Sequence, residues 1–276
     1  MNSKEDYEAR VSRKRRRRVV PVLPSVLTTA ALCLGLLSIM VSIETVALRM
    51  GGSVSDAAVM SKFWWAGVLI CLAALFDMLD GAAARLLKTE SNFGVYYDSI
   101  SDLVSFGVAP GVLIFSWVLI DSGRLGIMAV IFYIVCTALR LARFTMQSDS
   151  VEKYVFTGLP SPAAAALMIT PVLLFAEFSF TPDAKLMWYY LLASPFIGLL
   201  MVSEVRYSKR PAFLFRKSFD SLVLLAIIIA ALIVYPELML FVIAYLYGAI
   251  GLVRYIVKFL RQGKPHEESQ AFGPRD

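Results

Sequence analysis

Apolar positions along the 276-residue chain gather into eight long runs, near residues 24–48, 63–87, 96–120, 125–146, 160–178, 186–204, 218–235 and 237–260, parted by short polar stretches. A helix crosses a hydrocarbon layer of about 30 Å with about 20 such residues. The pattern therefore predicts an all-α fold, a polytopic transmembrane helical bundle of about eight spans. No large soluble domain, repeat or low-complexity stretch interrupts the series. The expected organisation is a basic arm over 1–20, a transmembrane catalytic domain over 21–262 and a polar tail over 263–276. The first run starts too far from the N-terminus, behind too long an Arg-rich approach, for a simple cleavable signal peptide.

Composition agrees and narrows the chemistry. Hydrophobic residues make up 58% of the chain and charged residues 17%, and the mean hydropathy is +0.69, a balance that argues against a soluble domain. The single histidine, His266 in the polar tail, excludes histidine catalysis in the core. Cys33, Cys71 and Cys136 lie inside apolar runs without metal-ligand spacing and read as small hydrophobes. Trp64, Trp65, Trp117 and Trp188 read as interfacial or lipid-facing residues.

Charge orients the spans. With the N-terminus inside, 23 of the 27 Lys and Arg residues fall on the inner side, leaving only Arg49, Lys62, Arg124 and Lys185 outside. This bias follows the positive-inside rule and assigns both termini to the cytoplasm; an odd number of spans would scramble it. Much of the net charge of +6 comes from Arg13, Lys14, Arg15, Arg16, Arg17 and Arg18. That block abuts the first span and reads as an anchor on anionic lipid rather than a nucleic-acid arm.

Carboxylates stand where hydrocarbon should exclude them. The stretch Phe63 to Phe76 is uncharged, and its fourteen residues descend about 21 Å, which places Asp77 inside the inner leaflet. Asp77, Asp80, Gly81 and Ala84 follow at offsets of three, four and seven, within one arc of a helix. Beyond a short turn, Gly94, Asp98 and Asp102 form a second row at spacings of four and four. Antiparallel neighbours can turn these rows toward each other, so four acids are expected to share one pocket at the inner membrane edge. Such a group cannot stay ionised in a low-dielectric site without countercharge, and divalent cations supply it. An all-oxygen donor set favours Mg²⁺, Mn²⁺ or Ca²⁺ over zinc. Two such ions bridged by shared carboxylates would clamp a pyrophosphate. Gly81 permits close approach of a ligand, and Arg85 supplies a permanent cation suited to phosphate.

At these residues the sequence closely resembles the CDP-alcohol phosphotransferase family. The family pattern D-x2-D-G-x2-A-R, eight residues, then G-x3-D-x3-D is matched by Asp77, Asp80, Gly81, Ala84, Arg85, Gly94, Asp98 and Asp102. The resemblance implies a six-helix catalytic core, commonly homodimeric, with the site open to the cytoplasm. It also implies transfer of a substituted phosphate from a CDP-linked lipid to an alcohol, with release of CMP. Three further stretches look like the phosphatidylserine synthase branch: Asp102-Leu-Val-Ser105-Phe106-Gly107-Val-Ala-Pro110, Arg140-Leu-Ala-Arg143-Phe144 and Gly158-Leu-Pro-Ser161-Pro. Near the first span, Pro24-Ser25-Val-Leu-Thr28 resembles a family Pro-Asn-x-x-Thr element, with Ser25 in place of Asn.

What the resemblance implies is specific. The donor would be CDP-diacylglycerol and the acceptor L-serine; the expected location is a bacterial cytoplasmic membrane, with an internal eukaryotic membrane as the alternative. Asp77, Asp80, Asp98 and Asp102 would hold the metal, Mg²⁺ or Mn²⁺ and two ions. Gly81, Ala84, Arg85 and Gly94 would contact the nucleotide or its phosphates, and Asp102 would act as general base on the incoming hydroxyl. Arg140 and Arg143 read either as positive-inside anchors or as contacts to the lipid phosphate or the acceptor carboxylate. Ser161 reads as part of a helix start or of the acceptor pocket. The rival readings are a sister enzyme using glycerol phosphate, inositol, choline or an ether-lipid donor, a prenyl transferase, and a divalent-cation transporter. The compact Gly81, Arg85 and Gly94 pattern disfavours prenyl transfer, and the clustering of acids on one side disfavours a transport path.

Overall fold

The computed structural model describes residues 22–52, 54–87, 92–147, 158–178, 180–203 and 219–262. The expected arm at 1–20 with its arginine block, and the expected tail at 263–276, lie outside the described residues. Helical rods stand at each of the eight apolar runs. They are α1 (Val22–Met50), α2 (Asp56–Leu87), a composite third rod, α5 (Arg124–Gln147), α6 (Ser161–Glu177), α7 (Ala184–Val202), α8 (Phe219–Val234) and α9 (Pro236–Gln262). The third rod is assembled from α3 (Asn92–Asp102), a π turn over Leu103–Val108, α4 (Ala109–Ile114), a second π stretch over Phe115–Leu119 and a final 3-10 turn at Ile120–Ser122. Six rods are long and apolar enough to cross a membrane unaided; α6, at 17 residues, and α8, at 16, are shorter. The chain is an integral membrane protein.

One boundary differs from the sequence pattern. Helix α2 starts at Asp56, a full seven residues before its apolar run, and reaches 32 residues. At 1.5 Å per residue it is about 48 Å long, well beyond the hydrocarbon layer. Lys62 in this extension pairs with Glu44 of α1 at 2.7 Å, so the helix carries charge past the apolar zone, where hydropathy does not mark it.

The third rod is the axis of the bundle. Of its most apolar stretch 67% is buried, against 39% or less for the other five long helices. It packs on α1, α2, α5, α6 and α7, while α1 and α2 form the most extensive helix pair. Helix α9 attaches through α6, and α8 leans mainly on α9, so these two form an appendage to the remaining six rods. Apolar side chains also cover the outer faces, for example Leu37, Met40 and Ile43 on α1 and Leu192 and Leu199 on α7, as hydrocarbon solvent requires. Cys33 lies on that outer surface and Cys136 is buried; both are free thiols, as is Cys71.

Trp117 corrects an expectation. It is 0% exposed, in the core, with its ring edge-on to Phe175 at 5.8 Å and to Tyr190 at 5.9 Å. The axial position of its rod decides this, since a residue there meets protein on every side. Trp65 and Trp188 are exposed as expected.

Prolines inside the helices explain the contacts of two tyrosines. Pro110 has no N–H to offer the carbonyl of Phe106, four residues earlier. Tyr133 of α5 donates its hydroxyl to that carbonyl instead, at 2.7 Å. Pro171 of α6 likewise leaves the carbonyl of Leu167, and the hydroxyl of Tyr245 from α9 donates to it at 3.3 Å. In hydrocarbon no water can take that role.

Candidate active site

Helix α1 is the bracket that positions the acids. Its Gly35 lies so close to the central rod that a Cβ there would sit 2.7 Å from Ser105 Oγ and 3.0 Å from Ser105 Cα. Only a residue without a side chain permits that approach. Along the same seam Ser105 Oγ donates to the carbonyl of Ala31 at 3.1 Å, and Ser101 Oγ to that of Thr28 at 3.2 Å. On its other flank α1 is tied to α2, Ser38 Oγ donating to the carbonyl of Ala66 at 2.8 Å. The two acid-bearing helices are thus registered through a third.

With that registration Asp77 of α2 and Asp98 and Asp102 of α3 converge, each offering a carboxylate oxygen within 4.8 Å of the other two. Asp98 and Asp102 stand one turn apart on α3, and the backbone widens into its first π turn immediately after Asp102. π turns inside helices recur at functional sites. Asp80 stands beside this trio rather than in it: only 5% exposed, it accepts the Thr28 hydroxyl at 2.5 Å through Oδ2.

The chemistry of this donor set fits a divalent cation. Asp98 Oδ1 is buried without a hydrogen-bond partner, a costly state for a carboxylate oxygen unless a cation faces it. The three carboxylates supply hard oxygen donors only. Around them, Gly81 and Ala84 are half-buried, and a Cβ on Gly81 would meet nothing nearer than the Arg85 guanidinium at 3.5 Å. Arg85 therefore folds back along α2 over the glycine while remaining exposed. Gly94 is half-buried one turn before Asp98.

The two arginines of α5 part company. Arg140 turns inward, where its Nη1 donates to Ser161 Oγ at 2.8 Å. Arg143, three residues on, is exposed. Ser161 is buried as the first residue of α6, with Pro160 and Pro162 flanking it. The turn ahead of it depends on Gly158, which has φ of +90° and whose missing side chain is replaced by the carbonyl of Met201. Leu159 N then donates to the carbonyl of Leu200 at 3.0 Å, pinning the turn to the end of α7.

Sequence reasoning missed two polar partners of the acids' helices. Thr28 was visible only as the end of a Pro-x-x-Thr element, with no sign that it holds Asp80. The other is the contact of Thr29 with Tyr97, 2.8 Å between hydroxyl oxygens, which ties α1 to α3 one residue before Asp98. Ser25 Oγ is buried and makes no hydrogen bond, so the residue replacing the expected Asn does not reach the acids.

A bundle of membrane helices with an acidic site at one end defines a class, and the sequence comparisons agree. The chain belongs to the CDP-alcohol phosphatidyltransferase family, whose pattern matches residues 21–200. Members of the family are generally divalent-metal dependent, in keeping with the acidic trio. Among curated relatives, the CDP-diacylglycerol–serine O-phosphatidyltransferase of Helicobacter pylori strain J99 is 34% identical over 200 residues, 71% of this chain and 81% of its own. The enzyme of the same name from Mycobacterium leprae is 32% identical over 245 residues, 86% of this chain and 76% of its own. The one from Methanocaldococcus jannaschii is 37% identical over 186 residues, 67% and 83% respectively.

Proposed function

We propose that the chain transfers the phosphatidyl group of CDP-diacylglycerol to the hydroxyl of L-serine, giving phosphatidylserine and CMP. The observation that carries this reading is the meeting of Asp77, Asp98 and Asp102 within 4.8 Å, with Asp98 Oδ1 unpartnered. The names of the relatives supply the substrates. Asp77, Asp98 and Asp102, with Asp80 beside them, would hold two divalent ions, Mg²⁺ or Mn²⁺. When bound, these ions neutralise the pyrophosphate and stabilise the charge that grows on the departing CMP. Gly81, Ala84 and Gly94 leave room for the nucleotide, and Arg85 caps its phosphates.

Asp102 takes the proton of the serine hydroxyl as that oxygen bonds to the phosphorus attached to diacylglycerol. The bridging P–O bond breaks, and its electron pair leaves on the phosphate of CMP. In this reading the site faces the cytoplasm of a bacterial inner membrane, both termini lie on that side, and the protein works as a homodimer among bilayer lipids. No nucleic acid takes part.

The deciding experiment offers purified full-length protein CDP-diacylglycerol with a panel of acceptors. Labelled serine is expected to yield phosphatidylserine and CMP only with divalent metal present. Faster turnover of glycerol phosphate, inositol or choline would reassign the acceptor, and preference for an ether-linked donor would reassign the lipid.

A further inference from the structure

We infer that Arg140 is the specificity-determining residue for the acceptor, binding the carboxylate of the incoming serine while Ser161 fixes its guanidinium. The inference rests on the serine-transfer reading and deepens it. Among the described residues, three cations lie near the acidic end of α2, α3 and α5. Arg85 is folded over Gly81, on the nucleotide side. Arg143 is exposed. Arg140 alone turns into the bundle, on the stretch of α5 that the Ser99–Thr145 hydrogen bond at 2.9 Å and the Tyr133–Phe106 bond at 2.7 Å align with the stretch of α3 and the central rod that carries Asp102, the residue that receives the acceptor's proton.

Its hydrogen bonding is incomplete in an informative way. Nη1 is committed to Ser161 Oγ at 2.8 Å, yet Nε is buried with no partner. A buried N–H of a charged group left unpaired is expensive. Nε is also one tooth of the fork that grips a carboxylate with two parallel bonds. Ser161 cannot complete that fork, because a hydroxyl offers a single oxygen. An acceptor carboxylate can. In serine the hydroxyl oxygen stands only three bonds from the carboxylate carbon. An acid held by Arg140 therefore presents its hydroxyl toward Asp102 without a long reach.

The surroundings favour the acceptor over the donor. The donor's phosphates are matched by the carboxylate-held ions and Arg85, whereas an amino acid brings a carboxylate for which no other inward cation is described. Ser161 is a positioning residue: it is buried at the start of α6, behind a glycine turn pinned to α7, and sets the rotation of the guanidinium.

The test compares L-serine with L-serinamide, which keeps the hydroxyl and amine and neutralises the carboxylate. With purified protein, CDP-diacylglycerol and divalent metal, the kcat/KM ratio of serine to serinamide is expected to be about 100-fold, the scale of a desolvated charge pair. Arg140→Gln should collapse the ratio below about 5-fold, and Arg140→Lys, which keeps charge without the fork, should leave it in between. Ser161→Ala should lower it by about 3- to 10-fold.

A wild-type ratio near one overturns the inference, and this measurement needs no variant to fold. So does a ratio unchanged in Arg140→Gln or Arg140→Lys while KM for CDP-diacylglycerol rises, which would assign Arg140 to the lipid phosphate. If the wild-type protein transfers to no serine at all while another acceptor reacts, the underlying reading has failed instead.

Discussion

Replacing Gly35 by alanine tests whether the closeness of α1 and the central rod sets the spacing of the acids. The new methyl would lie 2.7 Å from Ser105 Oγ, 3.0 Å from Ser105 Cα and 3.3 Å from Ser105 Cβ. Rotating the hydroxyl away forfeits its bond to Ala31, and the Cα cannot rotate at all. Restoring an ordinary carbon contact requires the rod to retreat by roughly 0.5 Å. Overpacking of this kind costs about 1–3 kcal/mol. Asp102, three residues from Ser105 on the same rod, moves with it, while Asp77 stays with α2, which is tied to α1 through Ser38 and Ala66. Metal sites tolerate about 0.2 Å of ligand displacement, and misplacement approaching 1 Å costs about 100-fold in rate. Metal-dependent CMP release should therefore fall roughly 10- to 100-fold, with the metal titration displaced to higher concentration. Adding Ser105→Gly removes the Oγ and Cβ contacts but keeps the Cα at 3.0 Å, and should recover only part of the loss. If Gly35→Ala folds and turns over at the wild-type rate, α1 does not set the acid geometry.

Three further outcomes are expected. Asp102→Asn should abolish nearly all phosphatidyl transfer while retaining CDP binding, because the proton acceptor is lost and most ligands remain; substantial transferase activity in that variant would refute its role as base. Asp98→Asn converts the buried orphan oxygen into part of a neutral amide, so the metal concentration for half-maximal CMP release should rise at least about 10-fold; an unchanged titration would place the ion elsewhere. Tyr133→Phe strips the carbonyl of Phe106 of its donor at almost constant volume, and thermal unfolding in detergent should show a loss of about 1–3 kcal/mol; no loss would mean that the bond is not needed.

What the sequence revealed, and what it hid, follows from the range of each interaction. Eight helical rods could be located because hydrocarbon imposes its demand on contiguous stretches, although length and apolarity alone qualify only six of them as spans. The acids stood out for the converse reason, as residues that lipid does not tolerate unpaired. The pairing of Asp80 with Thr28 spans 52 residues and has no local signature, and so the expected quartet resolves into a trio with a hydrogen-bonded neighbour. Trp117 was misjudged because hydropathy cannot tell a rod at the bundle's axis from one at its rim. Arg140 and Arg143 looked equivalent, yet three residues of helix turn a side chain by about 300°, enough to point one inward and leave the other exposed. The π turn after Asp102 left no trace in composition. The arginine arm at 13–18 and the polar tail at 263–276 lie outside the described residues.

The tyrosines that cap proline-orphaned carbonyls bear on how the chain is put together. Threaded singly into a bilayer, the third rod and α6 each carry a bare oxygen that oil cannot quiet. Relief comes from α5 in one case and from α9 in the other, so a wrongly matched set of spans keeps the penalty. The kinks thereby act as proofreading marks: each one identifies its proper neighbour, and the last pair of spans to arrive secures a helix inserted long before it.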